Sequence, residues 1–285
     1  MKFTKMQGAG NDFVVIETDD MQYDWSQLAV AMCNRHFGIG ADGLLLFSPS
    51  DVADFRMRIF NADGSESNIC GNGLRCLVKY FVDRGLANSG AGEILVEKVA
   101  GIREAKIYKT DGRVTKIQTG MGKPAFGEKD IPVMIKQDES IVDIKSMIVY
   151  SVTVDERELQ LSLVSMGNPH AVYFCQDPVS DFPLSRLGPK IELHKIFPDG
   201  ANFEVARVLN QHQIEARVWE RGVGETLACG SGACAITAAA RLHGFIGDKA
   251  GIKLPGGTLE VTWDGIGEVL LSGPAEAIFT GVWPD

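Results

Sequence analysis

The sequence contains Cys70-Gly71-Asn72-Gly73 and, 229 − 70 = 159 positions later, Cys229-Gly230-Ser231-Gly232. A glutamate stands four residues before each cysteine, as Glu66 and Glu225, and a glycine stands fifteen residues after each. Self-similarity at a fixed offset is the sequence sign of a duplicated structural unit. We therefore predict that the chain is an internal duplication with one of these cysteines in each half.

The residues on either side of each cysteine predict the same local structure in both halves. Upstream, apolar residues alternate with others over residues 55–59 and 214–218, and such period-two alternation is typical of a strand. These strands end on Asn61 and Glu220, nine residues before the cysteines. Downstream, apolar residues recur at helical spacing up to the closing glycine, which is where a helix C-cap belongs. Each half is therefore predicted to contain a strand, a loop with the cysteine motif, and a helix.

The start of each half is repeated as well. Gly10-Asn11-Asp12-Phe13 parallels Gly167-Asn168-Pro169-His170 at an offset of 167 − 10 = 157. The fold class that we predict is α/β (α+β). It consists of two pseudo-symmetric α/β domains that arose by duplication and face each other across an active-site cleft.

We expect the boundary between the halves close to residue 120. The Gly and Pro content of residues 120–124 is typical of a linker. The predicted N-terminal domain comprises residues 1–120 plus 273–285, because the C-terminal segment is expected to return to it as a strand. The predicted C-terminal domain comprises residues 121–272. Each domain carries one of the two repeated cysteines.

Length, composition and charge exclude several classes of protein. The chain has 285 residues, of which 23% are charged and 45% hydrophobic, and this globular composition excludes disordered and fibrous proteins. The net charge is 28 − 37 = −9 and no basic cluster occurs, so we expect no nucleic-acid partner. The apolar runs, such as residues 13–16 and 44–47, are too short to span a bilayer, and we expect no membrane association. Six cysteines are too few for a disulfide scaffold, so we expect a cytoplasmic protein with reduced thiols.

The two repeated cysteines are the candidate catalytic groups. Cys70 and Cys229 each stand at the start of a predicted helix, where unpaired N–H groups and the positive end of the helix dipole stabilise a thiolate. The neighbouring glycines let backbone N–H groups approach a small carboxylate. Two thiols that reach one carbon from opposite faces can invert a stereocentre in one step, since one removes the proton and the other delivers it. For a single cysteine, packing as a small buried hydrophobe would be the simpler interpretation; the repetition favours function.

Two other kinds of site fit the sequence poorly. Cys70 with Cys76, and Cys229 with Cys234, lack a nearby histidine pair and the usual zinc-ligand spacing, so we expect no metal. The stretch Gly8-Ala9-Gly10 lacks the third glycine of a dinucleotide-binding motif and precedes a predicted strand instead of following one. We therefore expect no nucleotide cofactor.

A second set of polar residues falls at the predicted strand ends and loops, which is where α/β folds place their sites. The set comprises Asn11, Asn61, Asn168, His170, Asn202, Glu220 and Arg221. Arg221 can bind a carboxylate with two parallel hydrogen bonds while Glu220 accepts a hydrogen bond from an ammonium group. An exposed ion pair between Glu220 and Arg221 is the alternative interpretation.

Five motifs, in order along the chain, resemble those of the diaminopimelate epimerase family, and the resemblance covers essentially the whole chain. They are Lys5-Met6 with Gly8 and Gly10-Asn11-Asp12-Phe13; Asn61-Ala62-Asp63-Gly64-Ser65; Cys70-Gly71-Asn72-Gly73; Ser165-Met166-Gly167-Asn168-Pro169-His170; and Glu220-Arg221-Gly222 with Gly224-Glu225-Thr226 and Ala228-Cys229-Gly230-Ser231-Gly232. The members of this family are pyridoxal-independent amino-acid epimerases of lysine and peptidoglycan-precursor biosynthesis.

The resemblance implies an isomerase that interconverts LL- and meso-2,6-diaminopimelate, as a homodimer without metal or organic cofactor. It implies that Cys70 and Cys229 are the base and the acid, and that His170 and Glu220 tune the thiols. The substrate-binding residues that it implies are Asn11, Asn61, Gly71, Asn72, Asn168, Asn202, Glu220, Arg221, Gly230 and Ser231. Of these, the two residues after each cysteine would hold the carboxylate at the reacting centre, and the others would bind the rest of the substrate.

The chain departs from the family pattern at four positions. Gln7 and Ala9 stand where many members have His and Leu. Gly43 stands where some members have a Gln that touches the substrate, so we expect no side-chain contact there. Phe279 replaces an aromatic hydroxyl at the dimer contact of some members, and it is our candidate dimer contact.

Two other functions stay open on the sequence alone. A two-cysteine racemase of proline or hydroxyproline would share the thiols, but its substrate has no distal amino-carboxylate for Arg221 to bind. A non-catalytic anion-binding or thiol-redox module would contain the same cysteines without moving a substrate proton. Substrate profiling separates the first from a diaminopimelate epimerase, and solvent-deuterium incorporation separates the second.

Overall fold

The chain divides into two compact units, which are described here one at a time. The computed structural model describes residues 1–20, 22–67, 71–87, 92–99, 101–111, 113–127, 129–134 and 141–284. The first unit comprises Met1–Gly120 and Ser272–Asp285, and the second comprises Met121–Leu271. Within the described residues, no helix is both long and apolar enough to cross a membrane.

The first unit is a sheet with two helices. Its elements are β1 (Lys2–Gly8), β2 (Asn11–Glu17), α1 (Trp25–Cys33), β3 (Gly43–Ser48), β4 (Phe55–Asn61), α2 (Gly71–Asp83), β5 (Glu93–Lys98), β6 (Gly101–Thr110), β7 (Arg113–Gly120) and the C-terminal strand β18 (Glu276–Val282). Strand β18 pairs antiparallel with β1, so the C-terminal segment returns to the first unit.

The second unit has a similar arrangement, with more strands before the repeated part. Its elements are β8 (Ile141–Ile144), β9 (Met147–Val154), β10 (Arg157–Ser165), β11 (Pro169–Phe174), a short 3-10 helix (Val179–Asp181), α3 (Leu184–Glu192), β12 (Asn202–Asn210), β13 (Gln213–Glu220), β14 (Gly224–Thr226), α4 (Gly230–His243), β15 (Lys249–Leu254) and β16 (Gly257–Thr262). Strand β17 (Leu270–Gly273) contains the boundary between the units.

The strand pairing repeats from one unit to the other. In the first unit, β2 pairs parallel with β3, β3 antiparallel with β4, and β4 parallel with β5. In the second, β11 pairs parallel with β12, β12 antiparallel with β13, and β13 parallel with β15. The register is also shared, because Gly43 is opposite Phe13 as Asn202 is opposite His170. The predicted α/β fold class is confirmed.

The central strands of the first unit are apolar along their length because helices cover both faces. In β2, Phe13 and Val15 pack in the same cluster as α2, whereas Val14 and Ile16 pack in the same cluster as α1. The alternate residues of β3 divide between the two clusters in the same way. Successive side chains of a strand point to opposite faces, so a strand buried on both faces reads as a continuous apolar run.

The same alternation places two polar residues beneath α4 in the second unit. Phe203 and Val205 of β12 pack in the cluster that contains Leu187 of α3. The intervening Glu204 therefore points to the opposite face, against which α4 packs. His170 of β11 lies on that face too, and both side chains are fully buried.

Helices follow both cysteine motifs, as the sequence predicts. Helix α2 begins at Gly71, and α4 begins at Gly230 with Cys229 as its N-cap. Gly244 closes α4 in the left-handed conformation, at φ 79°, and its N–H donates to the Ala240 and Arg241 carbonyls. Glycine adopts this conformation without a Cβ penalty, which is why it ends the helix.

The repeated glutamates before each cysteine have a structural role. Arg58 donates from Nε and Nη2 to the two carboxylate oxygens of Glu66, at 2.7 and 3.0 Å. Arg217 binds Glu225 in the same bidentate way, at 2.8 and 3.0 Å. The two arginines are also related by the repeat, since 217 − 58 = 159. Each pair ties a strand to the segment that leads to the cysteine motif.

Candidate active site

Cys229 lies at the start of α4, and its side chain caps the helix. The residue is only 6% exposed. Its Sγ accepts a hydrogen bond from Gly232 N at 3.4 Å and lies 3.4 Å from Ser231 Oγ. Gly230 and Ser231 contribute the first N–H groups of the helix, which have no intrahelical acceptor. The start of α4 can therefore bind a small anion beside the thiol.

The surroundings of Cys229 favour its neutral thiol. Burial raises the pKa of Cys229 well above 9.0, and the charges of Glu220 and Glu204 raise it further. Hydrogen bonds with Ser231 and with the Gly232 N–H act in the opposite direction.

Glu220, at the end of β13, is an acidic partner of this thiol. Burial raises the pKa of Glu220, and hydrogen bonds with Thr226 and Cys229 lower it in part. Thr226 Oγ1 donates to Glu220 Oε1 at 2.5 Å, across the β13–β14 hairpin. The alternative of an ion pair with Arg221 is not what the structure contains, since within the described part of the chain no carboxylate lies within ion-pair distance of Arg221.

A buried acid, Glu204, and a buried imidazole, His170, lie close to Cys229 and Glu220. His170 Nδ1 lies 2.6 Å from Glu204 Oε1, and both side chains are fully buried. On its other side, His170 Nε2 donates to Asn168 Oδ1 at 3.0 Å. Because the amide oxygen can only accept, Nε2 is the donor in this contact. Sequence reasoning found His170 and Asn168 but missed Glu204, whose signal is a lone acid in the apolar stretch 203–206.

Asn202 lies next to Arg221 and holds its backbone by a hydrogen bond. Asn202 Oδ1 accepts from the Arg221 backbone N at 3.0 Å, and Asn202 Nδ2 donates to the Pro169 carbonyl at 2.9 Å. The Arg221 side chain is exposed and packs over Gly200, and its Nη1 donates to the Asp199 carbonyl at 3.1 Å. Asn202 thus fixes the backbone from which the Arg221 guanidinium extends.

The first unit arranges its candidate residues around Asn11. Asn11 Nδ2 donates to Asp42 Oδ2 at 2.6 Å, and Asn11 Oδ1 accepts from Asn72 Nδ2 at 3.2 Å. Asn72 Oδ1 in turn accepts from the fully buried Arg75 guanidinium at 2.6 Å. The sequence predicted Asn11 and Asn72 but missed Asp42, which fixes the Asn11 amide.

The remaining predicted residues of the first unit are less connected. Cys70 lies outside the described residues, and Gly71 begins α2 directly after it. Asn61 ends β4 at the surface, where its Nδ2 donates to Ser65 Oγ at 2.9 Å. A Cβ at Gly43 would lie 2.8 Å from the Phe60 carbonyl oxygen, so β3 leaves no room for a side chain there. Phe279, on β18, is half-exposed and contacts the Phe3 ring edge-on.

A charged cluster supports the start of β2. Lys5 is almost fully buried and pairs with Asp12 at 2.6 Å. Arg35 bridges Asp12 and Asp42 at 2.8 and 2.7 Å. Burial raises the pKa of Asp12, but hydrogen bonds and charge from Arg35 and Lys5 outweigh it and bring the pKa from 3.8 to about 2. No group of three or more His, Cys, Asp or Glu suited to a metal ion occurs in the described ranges.

The fold is that of a class of solved structures which includes epimerases and racemases. A phenazine biosynthesis protein of the PhzF family from Bacillus anthracis superposes with a TM-score of 0.71 at 17% identity, over 99% of this chain and 98% of that one. A hydroxyproline epimerase from Agrobacterium vitis, with trans-4-hydroxy-L-proline bound, superposes with a TM-score of 0.69 at 15% identity, over 99% and 91%. At these identities the likeness concerns the fold alone.

Sequence similarity defines the family within this fold. The profile of the family described as diaminopimelate epimerase matches residues 3–127 and 162–278. A diaminopimelate epimerase from Acetivibrio thermocellus is 43% identical over 283 residues, which is 99% of this chain and 98% of the relative. One from Methanococcus maripaludis is 39% identical over 99% of both chains. The chain belongs to the diaminopimelate epimerase family.

The lowered pKa of Asp12 makes the stability of the first unit depend on pH. A carboxyl whose pKa is lower in the folded state stabilises the fold above its unfolded pKa, and this contribution is lost as the pH falls towards the folded pKa. We expect the difference in free energy of unfolding between wild type and Asp12→Asn to shrink by about 2 kcal/mol as the pH falls from about 4 to about 2. Denaturant titration followed by tryptophan fluorescence measures it, with exposed Asp19→Asn as control. A difference that stays constant over this range would contradict the ion-pair assignment.

Proposed function

We propose that this chain converts LL-2,6-diaminopimelate to meso-2,6-diaminopimelate and back, with Cys70 and Cys229 as the two proton carriers. Membership of the family makes the chain an isomerase of the epimerase class that acts on a small-molecule substrate. The observation that carries the mechanism is the buried thiol of Cys229 at the start of α4. The repeated motif gives the first half one equivalent candidate, Cys70.

The proton balance of the reaction needs one thiolate and one thiol. The thiolate takes the α-proton from one face of the carbon, and the thiol gives its proton to the opposite face. The configuration is inverted, no atom is lost, and the two cysteines have exchanged protonation states. In the reverse direction their roles are exchanged.

The difficult step is the removal of a very weakly acidic α-proton. No imine is formed that could delocalise the electron pair, so the carboxylate itself must gain enolate character. The first N–H groups of α4, at Gly230 and Ser231, are fixed donors for that charge, and fixed dipoles stabilise developing charge without reorganisation. In our proposal Gly71 and Asn72 do the same in the first half.

The remaining candidates would recognise the distal amino-carboxylate of the substrate. The Arg221 guanidinium extends into solvent from a backbone held by Asn202, and within the described residues no acid neutralises it. Asn11, Asn61, Asn168 and Glu220 offer amide and carboxylate groups for the remaining polar atoms. Proline and hydroxyproline lack this distal group, which favours diaminopimelate over the substrates of the related racemases.

The proposal also includes an oligomeric state and a cellular location. We propose that the chain works as a homodimer and that the half-exposed Phe279 on β18 contributes to the contact between the subunits. Sedimentation equilibrium measures the mass of the assembly and so tests this state. We also propose that it works in the cytoplasm, where six cysteines remain reduced.

Isotope exchange tests the proposed function directly. In D₂O, the wild-type protein should incorporate deuterium at an α-carbon of LL-diaminopimelate. Cys70→Ala and Cys229→Ala should each lower this exchange by at least about a hundredfold, because general acid and base catalysis contributes factors of that size. Cys175→Ser, which changes a half-buried cysteine outside both motifs, is the matched control. Near-normal turnover by either folded alanine variant would refute the two-base assignment, and absence of exchange in the wild type would favour the non-catalytic module.

Replacement of Arg221 tests recognition of the distal group. Lysine cannot reproduce the bidentate grip of a guanidinium on a carboxylate. We expect Arg221→Lys to raise KM for LL-diaminopimelate about ten- to hundredfold, as expected for a lost charged contact, with a smaller change in kcat. Steady-state kinetics measures this split, with Arg186→Lys on the surface of α3 as control. An unchanged KM would remove Arg221 from the substrate site.

A further inference from the structure

Glu204 is a buried acid to which neither the sequence motifs nor the proposed reaction gives a role. It lies on the α4 face of β12 with its side chain fully buried. Its Oε1 contacts His170, whereas its Oε2 has no hydrogen-bond partner among the described residues. An unpaired buried carboxylate oxygen is costly. The fold therefore keeps the Glu204 carboxylate at a cost, close to Cys229, which the proposed reaction uses.

Glu204 and Cys229 approach the same glycine. An ideal Cβ on Gly232 would lie 2.9 Å from Glu204 Oε1 and 3.3 Å from the Cβ of Cys229. The N–H of Gly232 is also the group that donates to Cys229 Sγ. The carboxylate therefore lies directly against the first turn of α4, at the helix end that the thiol caps.

A carboxylate at this position opposes the effect of the helix on the thiol. The positive end of a helix dipole stabilises a thiolate and lowers the pKa of a cysteine there. Among the described residues, the ionisable groups that face Cys229 are Glu220 from β13 and Glu204 from β12, with His170 from β11 next to Glu204. Both acids raise the pKa of Cys229, in addition to the larger effect of burial. His170 contacts Oε1 only, and Oε2 has no hydrogen-bond partner among the described residues.

The first half of the duplication lacks these groups. At the positions that the repeat matches to His170, Glu204 and Glu220 stand Phe13, Leu45 and Asn61. Phe13 and Leu45 pack under α2 as ordinary core residues. The buried acids are therefore not a requirement of the shared fold, and belong to the second unit alone.

We propose that Glu204 is a positioning residue for the chemistry of Cys229: held by His170 against the first turn of α4, it keeps the Cys229 side chain protonated in the substrate-free protein. Glu204 touches neither substrate nor the reacting carbon and acts through the thiol. This inference deepens the proposed function and rests on it for its purpose, because the second unit would then enter the reaction as the proton donor.

The test measures thiolate formation at Cys229 without substrate. Glu204→Gln keeps the size of the side chain and can still hydrogen-bond with His170 Nδ1, but it cannot carry a negative charge. Iodoacetamide reacts with thiolate only, so its rate at a fixed neutral pH is proportional to the thiolate fraction. We expect Glu204→Gln to be alkylated at Cys229 about tenfold faster than wild type, which corresponds to a pKa lower by one unit. The tryptic peptide 222–241 contains Cys229 and Cys234, and its fragment ions separate the two.

Two further variants make the result decisive. Glu204→Leu introduces the residue that the first half has at the matched position, and it should accelerate alkylation in the same direction. Glu215→Gln makes the same acid-to-amide change on β13, where the acid pairs with Arg207 instead of facing Cys229, and it should leave the rate unchanged. Circular dichroism melts confirm that each variant is folded. Wild-type alkylation rates in both folded Glu204 variants would overturn the proposal.

The outcome is separate from that of the isotope test. Alkylation is measured in the absence of diaminopimelate, so it reports on the thiol whether or not the protein epimerises this substrate. A faster rate in the Glu204 variants combined with no deuterium exchange in the wild type would refute the proposed function and leave the role of Glu204 standing. Normal exchange with an unchanged alkylation rate would do the reverse.

Discussion

The close approach of α4 to strand β12 is the constraint on which the candidate site depends. A Cβ at Gly232 would lie 2.9 Å from Glu204 Oε1, so any other residue there would force this carboxylate to shift. Glycine at this position therefore lets the start of the helix come down onto the sheet, which buries Cys229 together with the acids beside it. In such surroundings charge is expensive, and neutral forms of acids and thiols are favoured. The raised pKa values of Cys229 and Glu220 both have burial as their largest cause.

The duplication preserved geometry and changed charge. Asn11 and Asn168 are matched by the repeat, and in both the side-chain oxygen accepts a hydrogen bond from a more deeply buried neighbour. In the first unit this neighbour is Asn72, which is held by the cation Arg75. In the second unit it is His170, which is held by the acid Glu204. In both units the side-chain oxygen of the matched asparagine is therefore held from inside. The residue behind the contact is a cation, Arg75, in the first unit and an acid, Glu204, in the second.

Pattern and spacing predicted the fold well, because the duplicated strand, motif and helix leave a strong periodic signal. They could not assign roles within it. Glu66 and Glu225 repeat as faithfully as the cysteines, yet they bind Arg58 and Arg217 and hold loops. Glu204 was missed for the opposite reason: it has no counterpart in the first half, so the repeat says nothing of it, and its contact with His170 joins residues 34 positions apart. Which residues of two distant strands face each other depends on the pairing register of the strands. The sequence specifies this register only indirectly, through the packing of both faces of the sheet.

In the proposed two-base reaction, the different charges around the two cysteines have a chemical reason. Two equivalent thiols that share one proton would be ionised equally often, so any one substrate isomer would meet the wrong protonation state in half of the molecules. An acid next to one thiol removes this degeneracy, because a like charge disfavours the thiolate on its own side. The acid must also be buried, since an exposed carboxylate would be screened by water and salt and would discriminate weakly. Glu204 meets both conditions, and its Oε2, which has no hydrogen-bond partner among the described residues, is the structural cost of placing a carboxylate beside the helix.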